Sequence, residues 1–340
     1  VKFWIHKIVL HDIFYLYSRK ASRYMVYLYI LIGLALILIG ANYLTDGSVV
    51  VAKRLHIPGF LIGLTIMAIG TSAPELVVSI LSAISKQSNM AIGNVLGSNI
   101  FNSFVIVGVC ALVRPITLTK TNIRRDTPVL IGATLLLCLT LSDEWLGGGK
   151  VAHISRWEGL LLLTCYVASV WLSARAKRGE TADDTQQPTS SMWLAALMIG
   201  GGLVALVGGG ELFLHNAEQL ARQWGVSETV IAITLVAGGT SMPELASSVV
   251  SVVKGHSDIA LGNIIGSNIA NILLVLGVSA SITPLTPSGN DIEGSLVVLL
   301  LGAVLLFTSA YTFLQRSIDR WEGAIFIVIY GGYLWWLLIH

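Results

Sequence analysis

Gly70-Thr71-Ser72-Ala73-Pro74-Glu75 lies inside an apolar run, and Gly239-Thr240-Ser241-Met242-Pro243-Glu244 repeats it 169 positions later (240 − 71 = 169). Each stretch sets a carboxylate, two hydroxyls and a proline where the flanking sequence is oily. A carboxylate in hydrocarbon is expensive unless it is protonated, paired or bound to a cation. Two such costs at matching positions point to one site that uses both residues. Pro74 has no N–H, so the carbonyl one turn earlier loses its helical partner. The expected result is a broken helix, which a membrane tolerates only where it lines a cavity or holds a ligand. Carbonyls, hydroxyls and carboxylates are hard oxygen ligands, and Ca²⁺ takes six to eight of them.

The 340 residues are 54% hydrophobic and only 12% charged, with a mean hydropathy of +0.78. Soluble domains carry about 25% charged residues. The chain therefore reads as an all-α polytopic membrane protein whose surroundings are a lipid bilayer. The formal net charge of +2 carries no nucleic-acid footprint, and no obligate protein partner is evident. Cys110, Cys138 and Cys165 all fall in apolar segments without metal-ligand spacing and read as small core residues.

A transmembrane helix needs about 20 mostly apolar residues. Ten such spans are expected, at 25–45, 57–84, 90–112, 126–142, 157–174, 192–214, 226–253, 258–282, 291–313 and 320–339. Residues 1–24 form a basic, aromatic tail, and Met25 stands as a candidate start just before the first good span. The first five spans occupy 25–174, a polar linker follows at 175–191, and the last five spans occupy 192–340.

The halves align without a gap from Leu31 to Ile116 at the 169-residue offset. Gly93-Asn94, Gly97-Ser98-Asn99 and Asn102 fall on Gly262-Asn263, Gly266-Ser267-Asn268 and Asn271. Further on, Arg156-Trp157-Glu158-Gly159 matches Arg320-Trp321-Glu322-Gly323 at an offset of 164 (320 − 156 = 164). Five spans is an odd number, so the second copy enters the membrane upside down. That inverted repeat is a common build for secondary transporters. With the linker in the cytoplasm, cytoplasmic loops hold twelve Lys and Arg residues and the opposite side four, the tail left out.

Ser98 and Asn102, like Ser267 and Asn271, are four residues apart and share a helix face. They read as ligands, whereas Asn94, Asn99, Asn263 and Asn268 read as interhelical glue. Glu158 and Glu322 sit at helix starts and read as caps. Asp46 and His215 align with each other near helix ends and read as interfacial. Glu211 aligns with Asn42, so the repeat gives it no site role.

The doubled GTSxPE and GNxxGSNIxN stretches resemble the two α-repeats of the calcium/cation antiporter superfamily, the sodium/calcium exchangers. The resemblance covers nearly the whole chain beyond residue 24. It implies a non-enzymatic antiporter that exchanges Ca²⁺ for Na⁺ by alternating access, with these ions as transported substrates and no cofactor. On the matching motif positions it implies Glu75 and Glu244 as calcium carboxylates and Thr71 and Thr240 as donors of backbone carbonyls. Ala68, Ser72, Ser98, Ala237, Ser241 and Ser267 would line flanking sodium positions, with Asn102 and Asn271 at the centre. Some relatives carry Asp where this chain has Asn271, so the amide argues against potassium coupling. It leaves open a Ca²⁺/H⁺ antiporter using the same Glu pair. An intramembrane hydrolase with two carboxylates is the rival of another class, but a broken, carbonyl-rich helix suits cation ligation better than water activation. A multi-pass protein of the plasma (cell inner) membrane is expected.

Overall fold

The computed structural model describes residues 2–141, 153–176, 191–226, 231, 237–287, 291–311 and 316–339, with side chains from Met25 onward except at residues 176, 237, 291 and 310. The described chain is almost wholly helical. In the first half α1 is Lys2–Leu55, α2 Gly59–Thr71, α3 Ala73–Ile84, α4 Ser88–Val113, α5 residues 122–141 and α6 Arg156–Ala176. In the second half α7 is Met192–Gln223, α8 Ala237–Gly239, α9 Met242–Val253, α10 Ser257–Ile282, α11 Asp291–Thr308 and α12 Arg320–Ile339. Helices α2 and α3 are one membrane segment bent by 47° at Ser72, where Pro74 interrupts the ladder. With α8 counted with α9, the described residues fall into ten segments, two sets of five.

Several boundaries move. Helix α1 runs ten residues beyond the expected end at 45, and Asp46 within it finds a cation, Lys254, at the C-cap of α9. Its backbone also takes in residues 2–24 without a break. Helix α7 likewise continues to Gln223, through Asn216, Glu218 and Arg222. Helix α6 extends to Ala176, and Ser191 caps α7 by accepting from the Leu194 N–H at 3.2 Å. The rest of the linker lies outside the described residues, as do 142–152 and most of 226–236.

The repeat is visible in three dimensions. A two-stranded ladder pairs β1 (Ile116–Thr117) with β2 (Ser317–Ile318), matching Ile116 to Ile318. An isolated bridge pairs Ile154 with Leu285. These are the same contact under the two offsets, since 285 − 116 = 169 and 318 − 154 = 164. The starts of α6 and α12 also match. Ser155 and Glu158 form a reciprocal capping box, with Ser155 N–H donating to Glu158 Oε2 at 2.7 Å, and Asp319 with Glu322 does the same at 2.9 Å.

The centre belongs to α4 and α10, whose most apolar windows are 78% and 94% buried. Helices α1 and α7 are peripheral, at 28% and 22%. They pack along one another through small residues: a Cβ on Gly33 would stand 2.9 Å from the Gly209 carbonyl, and one on Gly202 would stand 2.8 Å from the Gly40 carbonyl. The offset turns one contact into the other (202 − 33 = 169 and 209 − 40 = 169). Without Cβ atoms the two backbones approach closely, which is how helices associate where no water drives them together.

Candidate functional site

Glu75 opens α3 and Glu244 opens α9, each in the first turn after a break that carries a proline. Both are fully buried. Each carboxylate is held from the opposite repeat: Ser72 Oγ donates to Glu244 Oε1 at 2.9 Å, and Ser241 Oγ donates to Glu75 Oε1 at 3.3 Å. Ser98 of α4 also donates to Glu75 Oε1 at 3.3 Å and meets the Thr240 hydroxyl at 3.3 Å. The two acidic residues thus face a shared centre where four helices meet. Among the described residues no third Asp, Glu, His or Cys joins them in a metal-holding group. The fixed charge of the centre with both ionised is therefore −2.

The remaining expected residues lie on the helices that carry the two acids or pack against them. Thr71 is buried and donates to Asn263 Oδ1 at 3.4 Å. Ala68 is buried against α10, where a Cβ on Gly266 would meet its own Cβ at 2.8 Å. Ala237 begins α8, just before Thr240; its backbone is described and its side chain is not. Ser267 is fully buried and its hydroxyl has no partner. Asn102 and Asn271 are fully buried, and in both the amide nitrogen and oxygen are unpartnered. The second oxygen of each carboxylate, Oε2 of Glu75 and of Glu244, is unpartnered too. A buried polar atom left unpaired costs about 1–3 kcal/mol. Among these atoms, Glu75 Oε2 and Glu244 Oε2, and Asn102 Oδ1 and Asn271 Oδ1, stand at matched positions of the two repeats, and all four are hard oxygen donors.

Helix form helps to aim these donors. Each central helix loosens into a π-helical turn at its amide, over Asn102–Ile106 in α4 and Ala270–Val275 in α10. Such turns leave the regular ladder and often occur at functional sites. Residues that a motif reading treats as glue do hold helices together. Asn94 Nδ2 donates to the Glu75 carbonyl at 3.2 Å and to Ser79 Oγ at 3.0 Å. Asn263 Nδ2 donates to Ser247 Oγ and to Ser248 Oγ at 3.1 and 3.0 Å. Asn99 Nδ2 reaches the Asn268 carbonyl at 3.1 Å, and Asn268 Nδ2 reaches Ser103 Oγ at 2.8 Å. Ser79 and Ser248 are supports that the motif reading passes over. The signal is in the sequence, since each lies four residues after its Glu at the 169 offset.

A cavity of about 530 Å³ runs beside the site, between α7, α3 and α4. Thr240, Asn94, Pro74 and Pro243 line it on one side, and Glu211, His215 and Glu218 line it along α7. Glu211 and His215 are thus wall residues of a cavity that also touches Pro74 and Pro243, the residues next to the two acids.

Inverted five-helix repeats, broken helices and a buried cluster of cation-type ligands define a secondary transporter of cations. The family described as sodium/calcium exchanger protein matches residues 25–175 and again 194–339, one match to each repeat. The chain is 33% identical to the inner membrane protein YrbG of Escherichia coli, over 91% of this chain and 94% of that protein. It is 32% identical to the sodium/calcium exchanger MaX1 of Methanosarcina acetivorans, over 91% of this chain and 97% of that one. Its fold superposes on the sodium-calcium exchanger NCX_Mj with a TM-score of 0.76 and 28% identity, over 90% of this chain and 96% of that one. The chain belongs to the sodium/calcium exchanger family. It is a multi-pass membrane protein of the cation/Ca²⁺ antiporters, a transporter and not an enzyme.

Proposed function

We propose that this chain exchanges Ca²⁺ for Na⁺ across the cell inner membrane, and that Glu75 and Glu244 hold the calcium ion. The observation that carries the reading is the set of unpartnered buried oxygens, Oε2 of both Glu residues and Oδ1 of Asn102 and Asn271, at matching positions. One Ca²⁺ neutralises the charge of −2. Several Na⁺ ions can use the same oxygens in its place, with Ser72, Ser98, Ser241 and Ser267 and the backbone of Ala68, Thr71, Ala237 and Thr240 as flanking donors. Ca²⁺ and a full set of Na⁺ together would leave excess positive charge in a low-dielectric centre. Mutual exclusion couples the two fluxes.

Sodium as the driving ion is supported by the neutral donors. Asn102 and Asn271 do not titrate, and the hydroxyls and amides occur in duplicate, which suits weakly charged Na⁺ positions. The names of MaX1 and NCX_Mj as sodium/calcium exchangers point the same way. The halves 25–174 and 192–340 act as the two repeats, with 175–191 as the cytoplasmic connection, the orientation favoured by the loop charges. Helices α1 and α7 form the moving gate, because they are peripheral and meet through glycines. The test is ⁴⁵Ca²⁺ uptake into proteoliposomes driven by an outward Na⁺ gradient or, separately, by a pH gradient. Uptake with the Na⁺ gradient is expected. Uptake with the pH gradient alone, and none with Na⁺, would make the chain a Ca²⁺/H⁺ antiporter.

A further inference from the structure

The two repeats carry the same chemistry at the centre but differ at the ends of α1 and α7. Near the end of α1, Lys254 Nζ stands 2.7 Å from Asp46 Oδ1 and donates to the Asn42 carbonyl at 3.3 Å. One turn away, Thr45 Oγ1 and Ser251 Oγ lie 3.1 Å apart. These contacts tie α1 to the C-terminal end of α9. Beneath them Ala41, Val49, Ile259, Ala246 and Val250 pack into one apolar cluster. At the 169 offset, Asn42, Thr45, Asp46, Ser251 and Lys254 correspond to Glu211, Leu214, His215, Ser82 and Ser85. Glu211, Leu214 and His215 line the open cavity beside α7. Ile259, packed in the cluster, corresponds to Met90, which lines the cavity (259 − 90 = 169). The closed face has an ion pair, and the open face has no lysine to make one at the same place.

We propose that Asp46 and Lys254 are a positioning pair for transport: they latch α1 against α9 and bias the ion site toward the opening beside α7. The pair stands on one side of the membrane only, so it does not cancel between the two states. For the site to open beside α1, Asp46 and Lys254 must separate, whereas on the α7 side His215 and Ser85 stand at the matching positions. Both side chains keep contact with solvent, at 49% and 26% exposure, so the pair is weak enough to break in every cycle. A deeply buried pair would lock the gate. The inference rests on α1 and α7 being the gate, as proposed above.

The test reads the balance of openings directly. Cys110, Cys138 and Cys165 are replaced, and a single cysteine is placed either in the cavity wall (Val207→Cys) or in the closed cluster (Ala246→Cys). The rate of reaction with a charged maleimide is measured on the purified chain in detergent, with Ca²⁺, with Na⁺ and with choline. Asp46→Asn or Lys254→Gln is expected to slow the Val207→Cys reaction and speed the Ala246→Cys reaction, so that the ratio of the two rates shifts by roughly two- to fivefold, the range of an exposed ion pair. The reversed pair, Asp46→Lys with Lys254→Asp, should restore both rates. A general loss of packing would speed both reactions and would not be rescued by reversal. Concentrated choline chloride should act on the unaltered pair like the single variants, because salt screens exposed charges. Unchanged rates in the single variants, failure of the reversal to rescue, or insensitivity to salt each overturn the latch. If neither rate in the otherwise unaltered chain responds to any ion, the gate assignment itself is wrong.

Discussion

The first repeat and the second repeat use one set of atoms at the centre and two sets at the edge. Ser72 to Glu244 and Ser241 to Glu75 are the same hydrogen bond seen twice, as are Asn94 to Ser79 and Asn263 to Ser248. Away from the centre the copies separate. Asp46 holds Lys254, while its counterpart His215 lines a cavity. The ion site has to look alike from both sides, because one cluster must accept ions from each. The proposed gates need not be alike, and a difference between them would set which side the site prefers.

The comparison is tested most severely at the acids. Glu75→Gln and Glu244→Gln should each reduce Ca²⁺ exchange by about 100-fold or more, since loss of one buried ligand charge costs about 3 kcal/mol or more. The amide is near in shape and cheaper to bury, so expression and assembly should survive. Flux that survives in one variant and not in the other would break the equivalence of the repeats.

The next effect falls on the gate. Gly40→Leu and Gly209→Leu occupy matching positions of α1 and α7 and would push a side chain into the facing backbone. Overpacking of this kind costs about 1–3 kcal/mol, so exchange should fall by about tenfold or more in both. A defect confined to one would show that only one of the two helices moves. At the central amides, Asn271→Asp adds a third acid to the pair and should change the pH dependence of Ca²⁺ flux from that of the parent chain, by several-fold across a pH series. Asn102→Asp should do the same if the halves are equivalent there.

The smallest effect is in the backbone. Lys86 ends α3 with φ 59°, and its counterpart at the end of α9 is Gly255 with φ 88° (255 − 86 = 169). Residues with a Cβ are strained there by about 1 kcal/mol. Lys86→Gly should therefore raise the thermal midpoint in detergent by about 2 °C, and Gly255→Ala should lower it by a similar amount.

Much of this molecule can be read from its sequence, because its main features are written twice. A single Pro-Glu in an apolar run is ambiguous, but Pro74-Glu75 and Pro243-Glu244, each preceded by the same Gly-Thr-Ser, are not. The bend at Ser72 follows from the absent N–H of Pro74. What escapes the sequence is whatever depends on a neighbour that the repeat does not supply. Asp46 looks like the end of a span until Lys254, 208 residues away, is seen beside it. The π turns at Asn102 and Asn271 leave no compositional mark, since a π turn differs from the surrounding helix only in where its hydrogen bonds close. Glu211 has no acidic counterpart at Asn42, and a reading built on symmetry sets it aside although it lines the cavity.

The central claim is that two carboxylates form one calcium position that sodium contests. Equilibrium ⁴⁵Ca²⁺ binding to the purified chain, titrated with Na⁺ at constant ionic strength, tests it without transport. The account predicts one Ca²⁺ per chain, displaced by Na⁺ with a steep, cooperative dependence, and lost in Glu75→Gln and in Glu244→Gln alike. Ca²⁺ binding that persists in both variants, or that Na⁺ does not displace, would contradict it.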